Sequence, residues 1–170
     1  MKQLILLAAI GTCLFSCAPT PSNKTATENL ALVKKYLQAV ETKDVAIMSS
    51  LLADNYRGYG PSIGDSTNKE EAIKNWKYNA DNLYESIKYT RFQNIAVTIK
   101  EGEESEPGEW VSNWAYITIK YKDGRGPVNA WVNAVYRIEN GKIVLSRTFY
   151  NEADVLRQLG YTIEPPVEKK

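Results

Sequence analysis

Three polar residues fall on a predicted sheet face that is otherwise apolar, and they are the first candidates for chemistry: Asn113, Tyr136 and Arg147. A cation on an apolar face must be paired or reach water. Arg147 is therefore either an anchor for an anion or carbonyl in a pocket, or half of a structural ion pair with Glu41 or Asp54, and we favour the ion pair. Tyr136 and Asn113 can hydrogen-bond a ligand, although such residues more often satisfy polar groups within a core.

The residue types that the chain lacks restrict its chemistry further. Histidine is absent, which removes Ser-His and Cys-His nucleophiles, imidazole base catalysis and most transition-metal sites. The two cysteines, Cys13 and Cys17, both belong to the N-terminal segment, so the rest of the chain offers no thiolate ligand. The charge is balanced, with 21 Lys and Arg against 20 Asp and Glu, and no basic stripe indicates a nucleic-acid surface. We expect no metal site, no cofactor and no nucleic-acid partner.

Three predicted helices precede the strands. The first begins near Thr25 or Thr27 and has apolar residues at helical spacing. Asp44 caps a second, shorter helix, and the pair Thr67-Asn68 begins a third with a capping-box pattern. A fourth, short helix is predicted over residues 151–160.

From Lys88 onward the hydrophobic period changes to two, which predicts strands over 88–100, 110–121, 128–139 and 142–150. Asn140-Gly141 separates the last two strands and predicts a type I′ hairpin turn, because both positions of that turn need a positive φ.

The predicted hairpin sorts the side chains between two faces. If Glu139 lies opposite Lys142, Ala134 lies opposite Arg147, and a slip of one residue would exchange the faces. The second face then carries an aromatic patch of Trp110, Trp114, Tyr116, Trp131 and Tyr150. A large exposed aromatic patch usually marks a contact surface, so we predict a homodimer formed by this face. The alternative is that these rings are scattered on an ordinary wet surface.

The N-terminus has the pattern of a secretory signal. Lys2 precedes an apolar stretch from Leu4 to Phe15, which is shorter than the ~20 residues that a membrane-spanning helix needs. The ending Leu14-Phe15-Ser16-Cys17 resembles the lipobox of bacterial lipoproteins, which implies that Cys17 is acylated and becomes the new N-terminus.

These features predict the organisation of the chain. Residues 1–16 are the lipoprotein signal peptide, 17–27 the lipidated cysteine and a flexible tether, 28–163 the folded domain, and 164–170 a disordered tail. We expect lipid anchoring in the cell envelope of a Gram-negative bacterium. Ala18 is compatible with sorting to the outer membrane, with the domain facing the periplasm.

The order of predicted elements resembles the SnoaL-like branch of the nuclear-transport-factor-2-like superfamily. The resemblance is carried by the segments 51–56, 139–143 and 147–151. It implies an α+β fold: a cone-shaped barrel of a curved, mostly antiparallel sheet with three N-terminal helices and a short C-terminal helix. The fold hosts isomerases, cyclases, dehydratases, epoxide hydrolases and non-catalytic binders, so it does not specify an activity.

The resemblance also assigns a pocket. Family enzymes often end the last strand with a motif resembling Arg-x-Tyr-Phe-Asp, in which Arg147 matches the Arg, Phe149 the Tyr and Asn151 the Asp. Asparagine cannot act as a general base, and the strand 128–138 holds no Asp or Glu. Tyr56 and Trp76 are expected at the pocket rim, although Trp76 also suits a plain core position. The candidate ligand residues are Tyr56, Trp76, Asn113, Tyr136, Arg147, Phe149 and Asn151.

Three functions remain open from the sequence. The first is a membrane-anchored pocket domain that binds a small, partly apolar ligand without catalysis, with Arg147 as the anchor. The second is an isomerase- or cyclase-type enzyme that uses Tyr136, Arg147 or Asn151 as electrostatic catalysts. The third is a scaffold that binds another envelope protein through the aromatic face.

Overall fold

Four helices and one six-stranded sheet make up residues 23–102 and 106–164, which are the residues that the computed structural model describes. In chain order the elements are α1 (Asn23–Thr42), α2 (Val45–Leu51), β1 (Leu52–Tyr59), β2 (Ser66–Asn68), α3 (Lys69–Tyr78), a π-helical segment (Asn79–Leu83), β3 (Tyr84–Ile99), β4 (Gly108–Tyr121), β5 (Val128–Glu139), β6 (Lys142–Tyr150) and α4 (Glu152–Gln158). The predicted α+β class, with three helices before the long strands and a short one after them, is confirmed.

The helix starts follow the capping chemistry of the sequence. The carboxylate of Asp44 accepts a hydrogen bond from the backbone N–H of Ile47 at 2.9 Å, so α2 begins where predicted. At α3, Asn68 and Glu71 form a reciprocal capping box. Helix α1 begins at Asn23, earlier than predicted and inside the segment expected to be a tether.

The sheet is curved and mostly antiparallel, as predicted, with the strand order β2-β1-β6-β5-β4-β3. One pairing is parallel: β1 lies beside β6, with Leu52 opposite Ile143. The sequence pattern did not predict β1 or β2, because we expected Leu52 to lie within the second helix and residues 55–61 to form the loop that ends it. Leu52 is 2 % exposed, and its partner across the ladder is completely buried, so long-range pairing determines the structure of this segment.

The last hairpin has the predicted turn but a different register beyond it. Asn140 and Gly141 have φ values of 50° and 69°, as a type I′ turn requires, and Glu139 pairs with Lys142. An irregularity then shifts the ladder, so that Arg137 pairs with Leu145. This β-bulge adds one residue to β6 and moves every later side chain of the strand to the opposite face. The predicted pairing of Ala134 with Arg147 is therefore wrong, since Ala134 pairs with Thr148.

The two faces of the sheet have separate apolar clusters. We call the face that packs against α1 the inner face; its core includes Val33, Val40, Met48, Val111 and Ile143. The opposite, outer face has a smaller cluster near the Asn140-Gly141 turn, made of Trp110, Val144 and Leu145. The bulge allows the adjacent residues Val144 and Leu145 both to be buried in this cluster, which gives a physical reason for the shifted register.

Candidate functional site

A cavity of about 580 Å³ lies between the inner face and the helices. Its deep part is lined by buried residues of α1, β1, β4 and β5, which are Tyr36, Leu37, Val40, Tyr56, Asn113, Ala134 and Tyr136. At what we call the open end, the lining includes the exposed residues Asp65, Ser66 and Asn75. At the other, closed end, Val111, Ile138 and Ile143 are buried beside the hairpin turn. The volume is typical of a small-molecule site.

Tyrosine hydroxyls supply much of the cavity's polar chemistry. The rings of Tyr36 and Tyr136 meet edge to face with centroids 5.9 Å apart. Burial raises the pKa of both phenols, and the neighbouring Tyr89 raises them further. Burial also raises the pKa of Tyr89 itself, and that of Tyr84 to about 12. These phenols are therefore uncharged in ordinary buffers and can donate hydrogen bonds.

Tyr56 and Ser146 connect two strands across the cavity wall. The Tyr56 hydroxyl lies 2.7 Å from the Oγ of Ser146. Burial raises the pKa of Tyr56, and the bond with Ser146 lowers it in part. The bond is possible because the bulge places Ser146 on the inner face, opposite Tyr136.

Four of the seven predicted ligand residues line the cavity: Tyr56, Trp76, Asn113 and Tyr136. Asn113 is 1 % exposed, and its side-chain amide donates to the Oδ1 of Asn94 at 2.6 Å, which fixes its orientation. That these four residues bind a ligand stays a prediction.

Arg147 lies outside the cavity, so its predicted position on the apolar face is wrong. Its exposed side chain places the guanidinium 5.3 Å from the ring centroid of Tyr59. The alternative ion pairs are absent from the described contacts. Glu41 accepts from the backbone N–H of Tyr89 at 2.7 Å, while Asp54 pairs with Lys69 at 2.9 Å. The physical reason is the bulge, which turns Arg147 outward.

Phe149 and Asn151 are also outside the cavity lining. Phe149 is 51 % exposed on the outer face for the same reason as Arg147. Asn151 is the N-cap of α4, where its side-chain oxygen accepts from the backbone N–H of Asp154 at 3.1 Å. The residue that matches the family's catalytic Asp thus has a structural role here.

Strand β6 contributes three residues to the cavity lining that were not predicted as ligand residues: Ser146, Thr148 and Tyr150. Tyr150 was predicted on the dimer face, and the bulge brings it inward instead. Tyr36 was also missed, although its spacing from Val33 and Val40 puts it on the buried side of α1 and could have identified it.

The cavity lining carries one charged side chain among the described residues. Asp65 is exposed at the open end, and no Lys or Arg belongs to the lining. Below this rim the polar groups are neutral hydroxyls and amides. The site can therefore hydrogen-bond an uncharged ligand, but it offers nothing to neutralise a buried anion.

The outer face carries four of the five residues predicted for the dimer patch. Trp114 is 38 % exposed and Trp131 is 56 % exposed, while Tyr116 packs edge to face against Trp131. The guanidinium of Arg91 lies 5.6 Å and 5.9 Å from the ring centroids of Tyr116 and Trp131. Trp110 is buried in the outer cluster. Exposed Phe149 takes the place of Tyr150 in the patch.

Within residues 23–102 and 106–164, no helix is long and apolar enough to cross a membrane. The same ranges contain no group of three or more acidic, Cys or His side chains that could hold a metal ion. Cys17, the predicted signal peptide and positions 165–170 of the predicted tail lie outside the described residues.

The curved sheet, its covering helices and the cavity between them define a protein of the nuclear-transport-factor-2-like superfamily. Within it, the chain belongs to the family of SnoaL-like domains, whose model matches residues 33–146. The match runs from α1 into β6 and so covers most of the cavity wall. Comparison with curated protein sequences gives no match.

Solved structures agree on the fold. An LEH-like epoxide hydrolase of M. tuberculosis is 17 % identical, with a TM-score of 0.57, over 79 % of this chain and 91 % of its own. A polyketide-cyclase candidate from Streptomyces antibioticus is 18 % identical, with a TM-score of 0.59, over 78 % and 98 %. A protein with a ketosteroid-isomerase-like fold from Catenulispora acidiphila, in complex with trimethylamine, is 16 % identical, with a TM-score of 0.58, over 77 % of this chain and 93 % of its own. At these identities the similarity establishes the fold alone.

Proposed function

We propose that this chain is a non-catalytic binding domain for a small, uncharged and partly apolar molecule. The observation that carries the proposal is the lining of the 580 Å³ cavity, which joins aliphatic walls to neutral hydroxyl and amide groups. The ordinary general bases are carboxylates, imidazoles and amines, and Asp65 at the rim is the one such group in the described lining.

The electrostatics of the cavity favour a neutral ligand. A carboxylate or phosphate moved from water to the deep part of the cavity would lose hydration without gaining a cation, at a cost of several kcal/mol. Arg147, the anchor expected from the sequence, cannot serve because it lies on the outer face. The hydroxyls of Tyr89 and Tyr136 and the amide of Asn113 can instead bind carbonyl or hydroxyl oxygens.

The first test is native mass spectrometry of the protein purified from its own cells. We expect a retained small molecule without ionised groups, and a retained carboxylate or phosphate would contradict the proposal.

A second test compares a matched pair of ligands, methyl 2-naphthoate and 2-naphthoate, by fluorescence titration. The ester should bind at least tenfold more tightly than the anion. Ala134→Phe should block the deep part of the cavity, whereas Gln93→Phe on the exposed outer face is the control and should leave binding intact. Equal affinity for both compounds would refute the electrostatic argument.

An enzyme of the isomerase or cyclase kind is the second candidate, and the cluster of buried phenols favours it. Hydrogen-bond donors held in a dry cavity can stabilise negative charge on a substrate oxygen. Tyr56, Tyr136 and Asn113 would supply this stabilisation, while Arg147 and Asn151 would have no part. If the wild type converts the ligand identified by mass spectrometry to an isomer and Tyr136→Phe does not, the protein is an enzyme, and the proposal of a non-catalytic binding domain is wrong.

We also propose that the outer face forms a homodimer. The exposed rings of Trp114, Trp131 and Phe149 lie on the same face of three adjacent strands, where they form one aromatic patch. Light scattering at micromolar concentration should give twice the chain mass, and Trp131→Lys should halve it. Tyr78→Lys is the matched control, because Tyr78 is 58 % exposed on α3, away from the sheet. A monomeric wild type contradicts the proposal and leaves binding of another envelope protein as the use of this face.

Cys17 supports a further proposal, that the protein is lipid-anchored in the cell envelope, in the outer membrane and facing the periplasm. The support is the lipobox-like ending of the apolar N-terminal segment. Cells fed a radiolabelled fatty acid should label the wild type and not Cys17→Ser. A wild-type protein that takes up no label would contradict the proposed lipid anchor.

A further inference from the structure

Three contacts fix the direction in which α1 runs over the sheet. They join Lys43 Nζ to the carbonyl oxygen of Tyr84 at 3.2 Å, Glu41 to the backbone N–H of Tyr89 at 2.7 Å, and the ring of Tyr36 to that of Tyr136. Lys43, just after the end of α1, thus meets the row of Tyr84, while the earlier residues Glu41 and Tyr36 meet rows closer to the Asn140-Gly141 turn. From its C-terminus back toward its N-terminus, α1 therefore runs from the row of Tyr84 toward the row of Tyr136.

The sheet ladder tells which end of the cavity each contact marks. Tyr84 pairs with Tyr121, and both line the cavity toward its open end. Tyr136 pairs with Val111, next to the buried closed end and the Asn140-Gly141 turn. The C-terminus of α1 therefore lies at the open end, and its first residue, Asn23, lies toward the closed end.

Chain lengths then limit how a lipid anchor can hold the domain. The 20 residues of α1 span about 30 Å, so the C-terminus of α1, which lies at the open end, is about that far from Asn23. The chain from Cys17 to Asn23 can reach no more than roughly 22 Å when fully extended. A domain that pointed its open end straight at the bilayer would have to push that end roughly 8 Å below the level of the anchor.

We propose that the anchored protein holds the closed end of the sheet toward the lipid surface and opens its cavity into the aqueous compartment. This inference rests on the proposed anchor and on the proposed binding cavity. It means that the ligand is taken from water, and not drawn directly out of the bilayer. The proposed dimer is compatible with this orientation. If two copies pair through their outer faces, both aromatic patches are covered by the partner copy and neither contacts the lipid.

Depth-dependent fluorescence quenching tests the orientation. Full-length lipidated protein is reconstituted into phosphatidylethanolamine–phosphatidylglycerol vesicles that carry a nitroxide on the lipid headgroup. Lys100→Cys reports the closed end. Lys100 is exposed just after β3, and the last residue of that strand, Ile99, pairs with Gly108 beside the row of Ile138. Ile63→Cys reports the open end, because Ile63 is fully exposed in the loop before Asp65. A third label at Gln93→Cys reports the outer face. Each label is the only free thiol once Cys13 is removed and Cys17 is acylated.

We expect the Lys100→Cys label to be quenched at least three times as strongly as the other two. Equal or stronger quenching at Ile63→Cys would overturn the orientation, and strong quenching at Gln93→Cys would mean that the outer face lies on the membrane. Flotation with the vesicles is the separate test of the anchor, with unlipidated Cys17→Ser as the control. Protein that floats but gives the wrong pattern refutes the orientation alone, whereas protein that does not float removes the anchor and the orientation with it. Titration with methyl 2-naphthoate tests the cavity independently of both.

Discussion

The hydrogen bond between Tyr56 and Ser146 decides which side chains line the cavity. In the unbulged register expected from the sequence, Ser146 would lie on the outer face, out of reach of Tyr56. In the structure their hydroxyl oxygens are 2.7 Å apart. A double-mutant cycle with Tyr56→Phe and Ser146→Ala therefore measures the register in solution.

The expected magnitudes follow from burial. Tyr56 is 5 % exposed, so Tyr56→Phe removes a largely desolvated bond and should lower the free energy of unfolding by about 1 kcal/mol. Ser146→Ala should cost a similar amount. Because the second change removes a group that has already lost its partner, the double variant should lose less than the sum, with a coupling of about 0.5–1.5 kcal/mol.

Urea unfolding of the unlipidated Cys17→Ser protein, followed by tryptophan fluorescence, is the assay. Thr148→Val combined with Tyr56→Phe is the matched control, since Thr148 lines the same wall two residues further along β6. That control pair should show a coupling below about 0.3 kcal/mol. If the Tyr56–Ser146 coupling is equally small, the bulge is absent in solution, and Arg147 returns to the cavity.

Three further predictions concern stability. Asn151→Ala should cost about 1 kcal/mol because it removes the N-cap of α4, and Asn151→Asp should restore that stability without creating activity, as urea unfolding and ligand-turnover assays would show. Arg137→Ala should cost about 1–2 kcal/mol, because Arg137 pairs with both Glu106 and Glu139 and its side chain is only 20 % exposed; a melting temperature within a degree of the wild type would contradict this. Burial raises the pKa of Tyr136 in the folded protein above its unfolded value of about 10, so the free energy of unfolding should not depend on this group well below pH 10 and should fall as the pH rises through 10. Tyr136→Phe should show a correspondingly smaller loss between pH 9 and pH 11, and an identical loss would refute the assignment.

The parts of the fold that local chemistry determines could be predicted from the sequence. Asp44 and Asn68 cap their helices, and Asn140-Gly141 forms its turn, because each uses hydrogen bonds or φ values available within a few residues. The bounds of β5 and β6 follow from the same turn. The inner position of Asn113 and Tyr136 could be predicted because both precede the bulge and keep the period of two.

The parts that long-range packing determines could not be predicted. Leu52 begins a strand because β6 offers a parallel partner, which no local pattern indicates. The bulge before Leu145 depends on the outer cluster around Trp110, a contact between residues far apart in the chain. One extra residue there was enough to reverse the predicted positions of Arg147, Phe149 and Tyr150, and so to remove two of the seven candidate ligand residues from the cavity.

The bulge also means that strand β6 encodes two alternative cavity walls. One wall, in use here, is hydroxylated and neutral: Ser146, Thr148 and Tyr150. The other, now outside, is cationic and aromatic: Arg147 and Phe149. Deletion of one residue near Val144 would exchange them while leaving the turn and the other strands unchanged. Among related chains, a change of length by one residue at this point could therefore convert a binder of neutral molecules into a binder of anions, with no substitution in the pocket at all.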